Sequence, residues 1–206
     1  MINWLYYPRS RKAPALIRSV VEVFQQVLPA IDSATHELNS NEVLAHVAPG
    51  LATLGFRVET GKRTAEKIPV PVLFGLNGLL EKSFDADAHH EAAGIVVEVE
   101  AGRGVVNNQF LKDLFQACMM AGVAEFAVAV RNQYRRNNDF ERVCRFFDTL
   151  YASNRLKLPL DGVLVVGSAT DPAPLGPYGQ PFIADDTQAG DVTQKELRDD
   201  GGDRFG

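Results

Sequence analysis

Apolar residues recur at helical spacing through Leu16, Ile17, Val20, Phe24, Val27 and Leu28, and Pro14 sits where a first helical residue is favoured. A second helix is predicted from Ser40 as N-cap, with Val43, Leu44, Val47 and Leu51 on one face. Pro49-Gly50 is expected to kink or split it. Phe56–Thr60 reads as a short strand. Asn77-Gly78 is a turn signal joining a strand at Val70–Leu76 to one from about Leu79 to Ala88. After a break at Gly94, Ile95-Val96-Val97-Glu98-Val99-Glu100 has the β-branched content of a strand. Asn107 or Asn108 then caps a helix with Phe110, Leu111, Leu114, Phe115, Cys118 and Met119 on one stripe, and Gly122 ends it. Phe126–Val130 and Gly162–Gly167 are apolar enough for buried parallel strands. Between them, Asn138 and Glu141 open a helix through Phe140, Val143, Phe147 and Leu150. The order α-α-β-β-β-β-α-β-α-β is an antiparallel meander passing into right-handed βαβ crossovers. It defines an α/β domain with a mixed central sheet.

Two glutamates interrupt the most central of these strands. Glu98 and Glu100 point to one face, because side chains alternate along a strand. Burying both is expensive unless they bind a cation or share a proton. The preceding strand carries Asp85 and Asp87, again on one face. If the two strands pair as a hairpin through His89–Gly94, Asp87 and Glu98 come together. Three convergent carboxylates form a hard-oxygen site suited to Mg²⁺ or Mn²⁺. The competing reading is a half-exposed strand whose alternating glutamates face water.

Composition adds bounds. The chain has 206 residues, 46% hydrophobic and 23% charged, enough for one domain with its own core. No apolar stretch reaches the roughly 18 residues of a membrane span. The start reads as no secretory signal, and two cysteines with no Cys-x-x-Cys pair make neither a disulfide framework nor a zinc site. A reduced, cytoplasmic protein is expected. Net charge is −5, but residues 185–206 hold seven acids against three bases, a balance of −4 that leaves −1 for the rest. That segment is expected to be an acidic, disordered tail after a domain spanning 1–184. Bases cluster at Arg9, Arg11 and Lys12, at Lys62, Arg63 and Lys67, and at Arg131, Arg135, Arg136, Arg142 and Arg145, a distribution that permits a DNA partner.

Asp87, ten intervening residues, Glu98-Val99-Glu100, a helix and an apolar strand together resemble the PD-(D/E)XK restriction-endonuclease superfamily. The stretches Glu98–Arg103 and Asn108–Gln116 are similar to its BglII/BamHI-like branch. The resemblance covers about Ser40 to Arg131 and implies an αβββαβ restriction-endonuclease-like core, with further helix N-terminal to it. Ala86 stands where the family name has proline. Glu100 stands where most members have lysine, although BamHI-like enzymes also carry a glutamate there. The implied activity is Mg²⁺-dependent hydrolysis of DNA phosphodiester bonds, type II restriction-enzyme-like, with Mn²⁺ able to substitute. In that reading Asp87 and Glu98 hold the metal, and Glu100 orients or deprotonates the attacking water. Asp85 is the reserve ligand, because it shares a face with Asp87. Glu42 is a weaker candidate, since an acid on the helix before the first strand lies beside such sites in some members.

Around this core, Arg103 and Arg131 are candidate phosphate contacts, and the loop Arg131–Asn138 carries side chains suited to base readout. A homodimer is expected on double-stranded DNA, because two-fold symmetry matches a palindromic site. His89-His90 reads as an exposed turn, and Cys118 and Cys144 read as core residues. Gly102-Arg103-Gly104 lacks the further glycine and lysine of a phosphate loop. The alternatives are a catalytically weak or inactive DNA-binding relative of the nuclease fold, and an interaction protein whose acidic face meets a basic partner.

Overall fold

A computed structural model describes residues 2–101, 108–132 and 138–169. The candidate Arg103, the bases Arg135 and Arg136, and the acidic tail lie outside the described residues.

The chain opens with a strand absent from the pattern-based reading, β1 (Asn3–Tyr7). Helices α1 (Ala15–Ile31) and α2 (Ser40–Thr53) follow, burying Ile17, Val20, Phe24 and Leu28 from one and Val43, Leu44, Val47 and Leu51 from the other. The α2 cap is Asn39 rather than Ser40. The Asn39 side chain accepts the Glu42 N–H (3.1 Å) and the Glu42 carboxylate accepts the Asn39 N–H (2.7 Å), a capping box. Nor does Pro49-Gly50 split the helix, which continues to Thr53. Pro49 and Ala45, whose carbonyl loses its intrahelical donor, are both exposed, so the lost hydrogen bond falls on the solvent side of the helix. Gly50 faces α1, where an added Cβ would stand 2.7 Å from a Val23 methyl. Close helix packing is what that glycine serves.

After the short strand β2 (Arg57–Val58), β3 (Ile68–Phe74) and β4 (Leu80–Ala86) form a separate two-stranded antiparallel hairpin. Its turn holds Asn77 (φ 58) and Gly78 (φ 74), the left-handed pair its sequence predicts. The strand expected to run unbroken to Ala88 breaks at Asp87. Beyond the break, β5 (Ala88–His90) belongs to the main sheet. Then come β6 (Ile95–Glu100), α3 (Gln109–Met119), β7 (Glu125–Val130), α4 (Asp139–Ser153) and β8 (Gly162–Gly167).

The six-stranded sheet runs β1-β8-β7-β6-β5-β2. Strands β6, β7 and β8 are parallel, and β1, β5 and β2 are antiparallel to their neighbours. This is the expected mixed α/β sheet. Every residue of β7 and β8 is buried, as strands covered on both faces must be. One core packs Ile95, Val97 and Val99 against α1 and α2. The other joins Val96, Phe126 and Val128 to Phe110 and Leu114 of α3 and Phe140 and Phe147 of α4.

His89-His90 is not the exposed turn expected. β5 is flanked by β2 and β6, so His89 is buried, and His90 accepts the Ala93 N–H at the turn that follows. The α3 stripe is also rotated from expectation: Phe110, Asp113, Leu114 and Ala117 are buried, whereas Phe115 and Met119 are about half exposed. Both cysteines are free; Cys144 is buried and Cys118 partly so. Among the described residues no helix is long and apolar enough to cross a membrane.

Candidate active site

The antiparallel register pairs Ala88 with Val97, which sets Asp87 across from Glu98 at the point where β4 gives way to β5. Asp87 is held from three sides. Its carboxylate accepts the Val99 N–H (2.8 Å), its carbonyl accepts the Glu59 N–H (2.8 Å), and its own N–H is donated to Glu98. Glu98 and Glu100 lie on the Val96 face of β6, under α3. The face of α3 that carries Gln109, Lys112, Asp113 and Gln116 closes over them, and β4 supplies the opposite rim through Lys82, Ser83 and Asp85. Together these walls enclose an open cleft of about 490 Å³.

Six carboxylates line this cleft (Glu59, Asp85, Asp87, Glu98, Glu100 and Asp113) against three lysines (Lys67, Lys82 and Lys112). Lys67 is engaged with Glu59, its Nζ 2.7 Å from both carboxylate oxygens. The inner acids therefore face one another with little compensation. Burial lifts Asp87 from 3.8 to about 6, with the charges of Glu59 and Asp113 adding to it, against the Val99 N–H and Lys67. Burial likewise raises Glu98 well above the ordinary carboxylate range, reinforced by Asp87, Asp113 and Glu100. Glu100 is raised by burial and then by Asp113, which stands within hydrogen-bonding reach of it. Carboxyl groups so crowded retain protons or attract a cation.

The structure thus brings Asp87, Glu98 and Glu100 to one cleft. Asp85 lines the same cleft from an exposed position on β4. Glu42 is committed to the α2 cap and is absent from the lining, where its neighbour Ser40 appears instead, tied to the end of β6 by accepting the Ala101 N–H (3.0 Å). Arg131 is buried after β7 and donates to the Leu38 carbonyl. Asp113 was missed from sequence, although the signal existed: it falls between Phe110 and Ala117, beside Leu114, on the buried stripe of α3. The broad apolar stripe through Phe115 and Met119 hid it.

A hard divalent cation fits the donor set. All the inner donors are carboxylate oxygens. One of them, Asp113 Oδ2, is buried and receives no N–H or hydroxyl hydrogen bond, facing another carboxyl instead. Among the described residues, no group of three or more His, Cys, Asp or Glu side chains is arranged so as to hold a metal ion as it stands.

The mixed sheet, its flanking helices and the cleft beside β6 define a restriction-endonuclease-like fold. The likeness rests on one solved structure. Restriction endonuclease BglII complexed with a DNA 16-mer aligns with a TM-score of 0.50 at 12% identity, covering 83% of this chain and 77% of that one. Free BglII aligns with a TM-score of 0.45 at 13% identity, covering 83% and 80%. No family model matches the chain, and no curated protein matches it.

Proposed function

We propose that this chain is a Mg²⁺-dependent endonuclease hydrolysing phosphodiester bonds of double-stranded DNA, of type II restriction-enzyme character. In this reading Asp87, Glu98 and Glu100 are the acidic triad of a PD-(D/E)XK site of the BglII/BamHI-like branch. The observation that carries it is the convergence of these three carboxylates on one polar cleft, each held above its ordinary pKa by burial. A fold shared with an enzyme solved on DNA supports the substrate class.

Asp87 and Glu98 would hold the cation, with Mn²⁺ able to substitute. The cation supplies neutralisation of the phosphate oxygens and a lowered pKa for the attacking water. Asp87 is oriented for this by the Val99 N–H, which fixes one carboxylate oxygen. Glu100 would orient or deprotonate the attacking water; burial and Asp113 raise its pKa to about 8, so it acts as a base only where the bound cation draws off the proton it holds. Lys82 and Lys112, which line the two rims of the cleft, would meet the phosphate backbone. Action as a homodimer on a two-fold symmetric site, in the cytoplasm, completes the proposal.

A catalytically weak DNA-binding relative is the second reading, favoured by one observation: the carboxylates do not stand as a closed metal cage. Incubation with unmethylated DNA of high sequence diversity, in Mg²⁺ and in Mn²⁺, separates the two. Fragments produced by the wild type and absent with Glu98→Ala are expected. DNA retention with no cleavage in either cation selects the second reading.

A further inference from the structure

We propose that Asp113 is an additional oxygen ligand of the cation taken up by the Asp87–Glu98–Glu100 cleft, so that α3 completes a site begun by the strands. The inference rests on the function proposed above and adds to it a residue from a different element.

The placement is costly without such a role. Asp113 is 6% exposed and shares its buried helix face with Phe110, Leu114 and Ala117. A carboxylate there forfeits hydration, which is recovered only through donors or a cation. Its two oxygens are treated differently. Oδ1 accepts from Gln109 Nε2 (3.3 Å) and lies 4.0 Å from Lys112 Nζ. Oδ2 is buried and receives no N–H or hydroxyl hydrogen bond; besides Gln109, the group within reach of this carboxyl is Glu100, itself a carboxyl. The Lys112 side chain is 60% exposed and sits on the Oδ1 side, so it does not serve the orphaned oxygen.

Asp113 lines the cleft and stands within reach of the Glu100 carboxyl. Two carboxylates are both acceptors, and nothing between them donates when both are ionised. A divalent cation bound by carboxylate oxygens, keeping several waters, satisfies such an arrangement. Gln109, one helical turn back, fixes the Asp113 carboxylate in the way outer groups orient metal ligands, leaving Oδ2 for the site.

The test is Mn²⁺ binding by the full chain without DNA, followed by the loss of free Mn²⁺ signal in electron paramagnetic resonance, with melting temperature recorded in chelator. Wild type is compared with Asp113→Asn, Asp113→Ser and Asp87→Asn. Asp113→Asn and Asp113→Ser are expected to weaken Mn²⁺ binding by about tenfold or more. In chelator Asp113→Asn is expected to melt no lower than wild type, because an amide facing Glu100 removes repulsion. Equal Mn²⁺ affinity for wild type and for whichever Asp113 variant is folded, with binding lost in Asp87→Asn, overturns the role of Asp113 and leaves the nuclease reading intact. A wild type that binds no Mn²⁺ overturns both.

Discussion

Asp87 sits in the break between β4 and β5, and burial holds its carboxyl near 6 rather than 3.8. A carboxyl raised in the folded state keeps its proton longer there than in the unfolded chain. Stability is therefore fullest at and below the ordinary value and declines as pH climbs through about 6. Asp139 follows the same course, raised by burial to about 6, and Glu98 and Glu100 extend the decline upward. His89 opposes it, because burial favours its neutral form and adds stability as pH rises toward 6.5. The acids outnumber it. In chelator, thermal melts from pH 4 to pH 8 are expected to show falling stability, with a shallower fall for Asp87→Asn and a gain on the order of 1 kcal/mol for that variant at pH 8. Elsewhere the same physics acts in reverse. Tyr6 donates to both oxygens of buried Glu125 (2.9 and 3.0 Å), so Tyr6→Phe orphans a carboxylate and is expected to cost about 1–3 kcal/mol in denaturant melts.

Elements differ in how plainly their residues announce them. Helix α4 was legible because Asn138 and Glu141 mark its start, and the Asn138 side chain does accept the Glu141 N–H (3.1 Å). The Asn77-Gly78 hairpin was legible for the same reason, a turn that only a left-handed pair fits. Strand β6 was legible from its β-branched residues, and alternation put its two glutamates on one face while leaving open whether that face met water, which the cleft under α3 decides. What stayed hidden depends on neighbours distant in sequence. The flanking of β5 buries His89, and the rotation of α3 brings Asp113 inward while turning Phe115 and Met119 to solvent. One residue decides the start of α2: Ser40 has a capping hydroxyl, yet that hydroxyl accepts from Ala101, and Asn39 caps instead. Asn39→Ala is expected to lower stability by about 1 kcal/mol, and Ser40→Ala to act on the end of β6 instead. Chemical denaturation of both, with hydrogen exchange at Ala101, distinguishes them.

At the scale of the whole molecule, two apolar layers sandwich the sheet, and the acidic cleft opens where one layer gives way to carboxylates. The β3–β4 hairpin stands apart, with Leu73, Phe74, Leu76, Leu79 and Leu80 all more than half exposed. Substituting Leu76 and Leu79 by serine is expected to leave the melting temperature nearly unchanged, because neither side chain is buried. The sheet edge is different. β1 pairs with β8 from Asn3↔Gly167 to Tyr7↔Val163, and Tyr7 is locked among α4 side chains while donating to the Cys144 carbonyl (2.9 Å). β1 therefore waits for β8, the last strand among the described residues. Until β8 leaves the ribosome, β1 has no ladder to join, and its closure spans nearly the whole described chain, the kind of long-range contact that slows folding. A nascent chain arrested before Gly162 should hold Tyr7 open to protease, and release past Gly167 should close it.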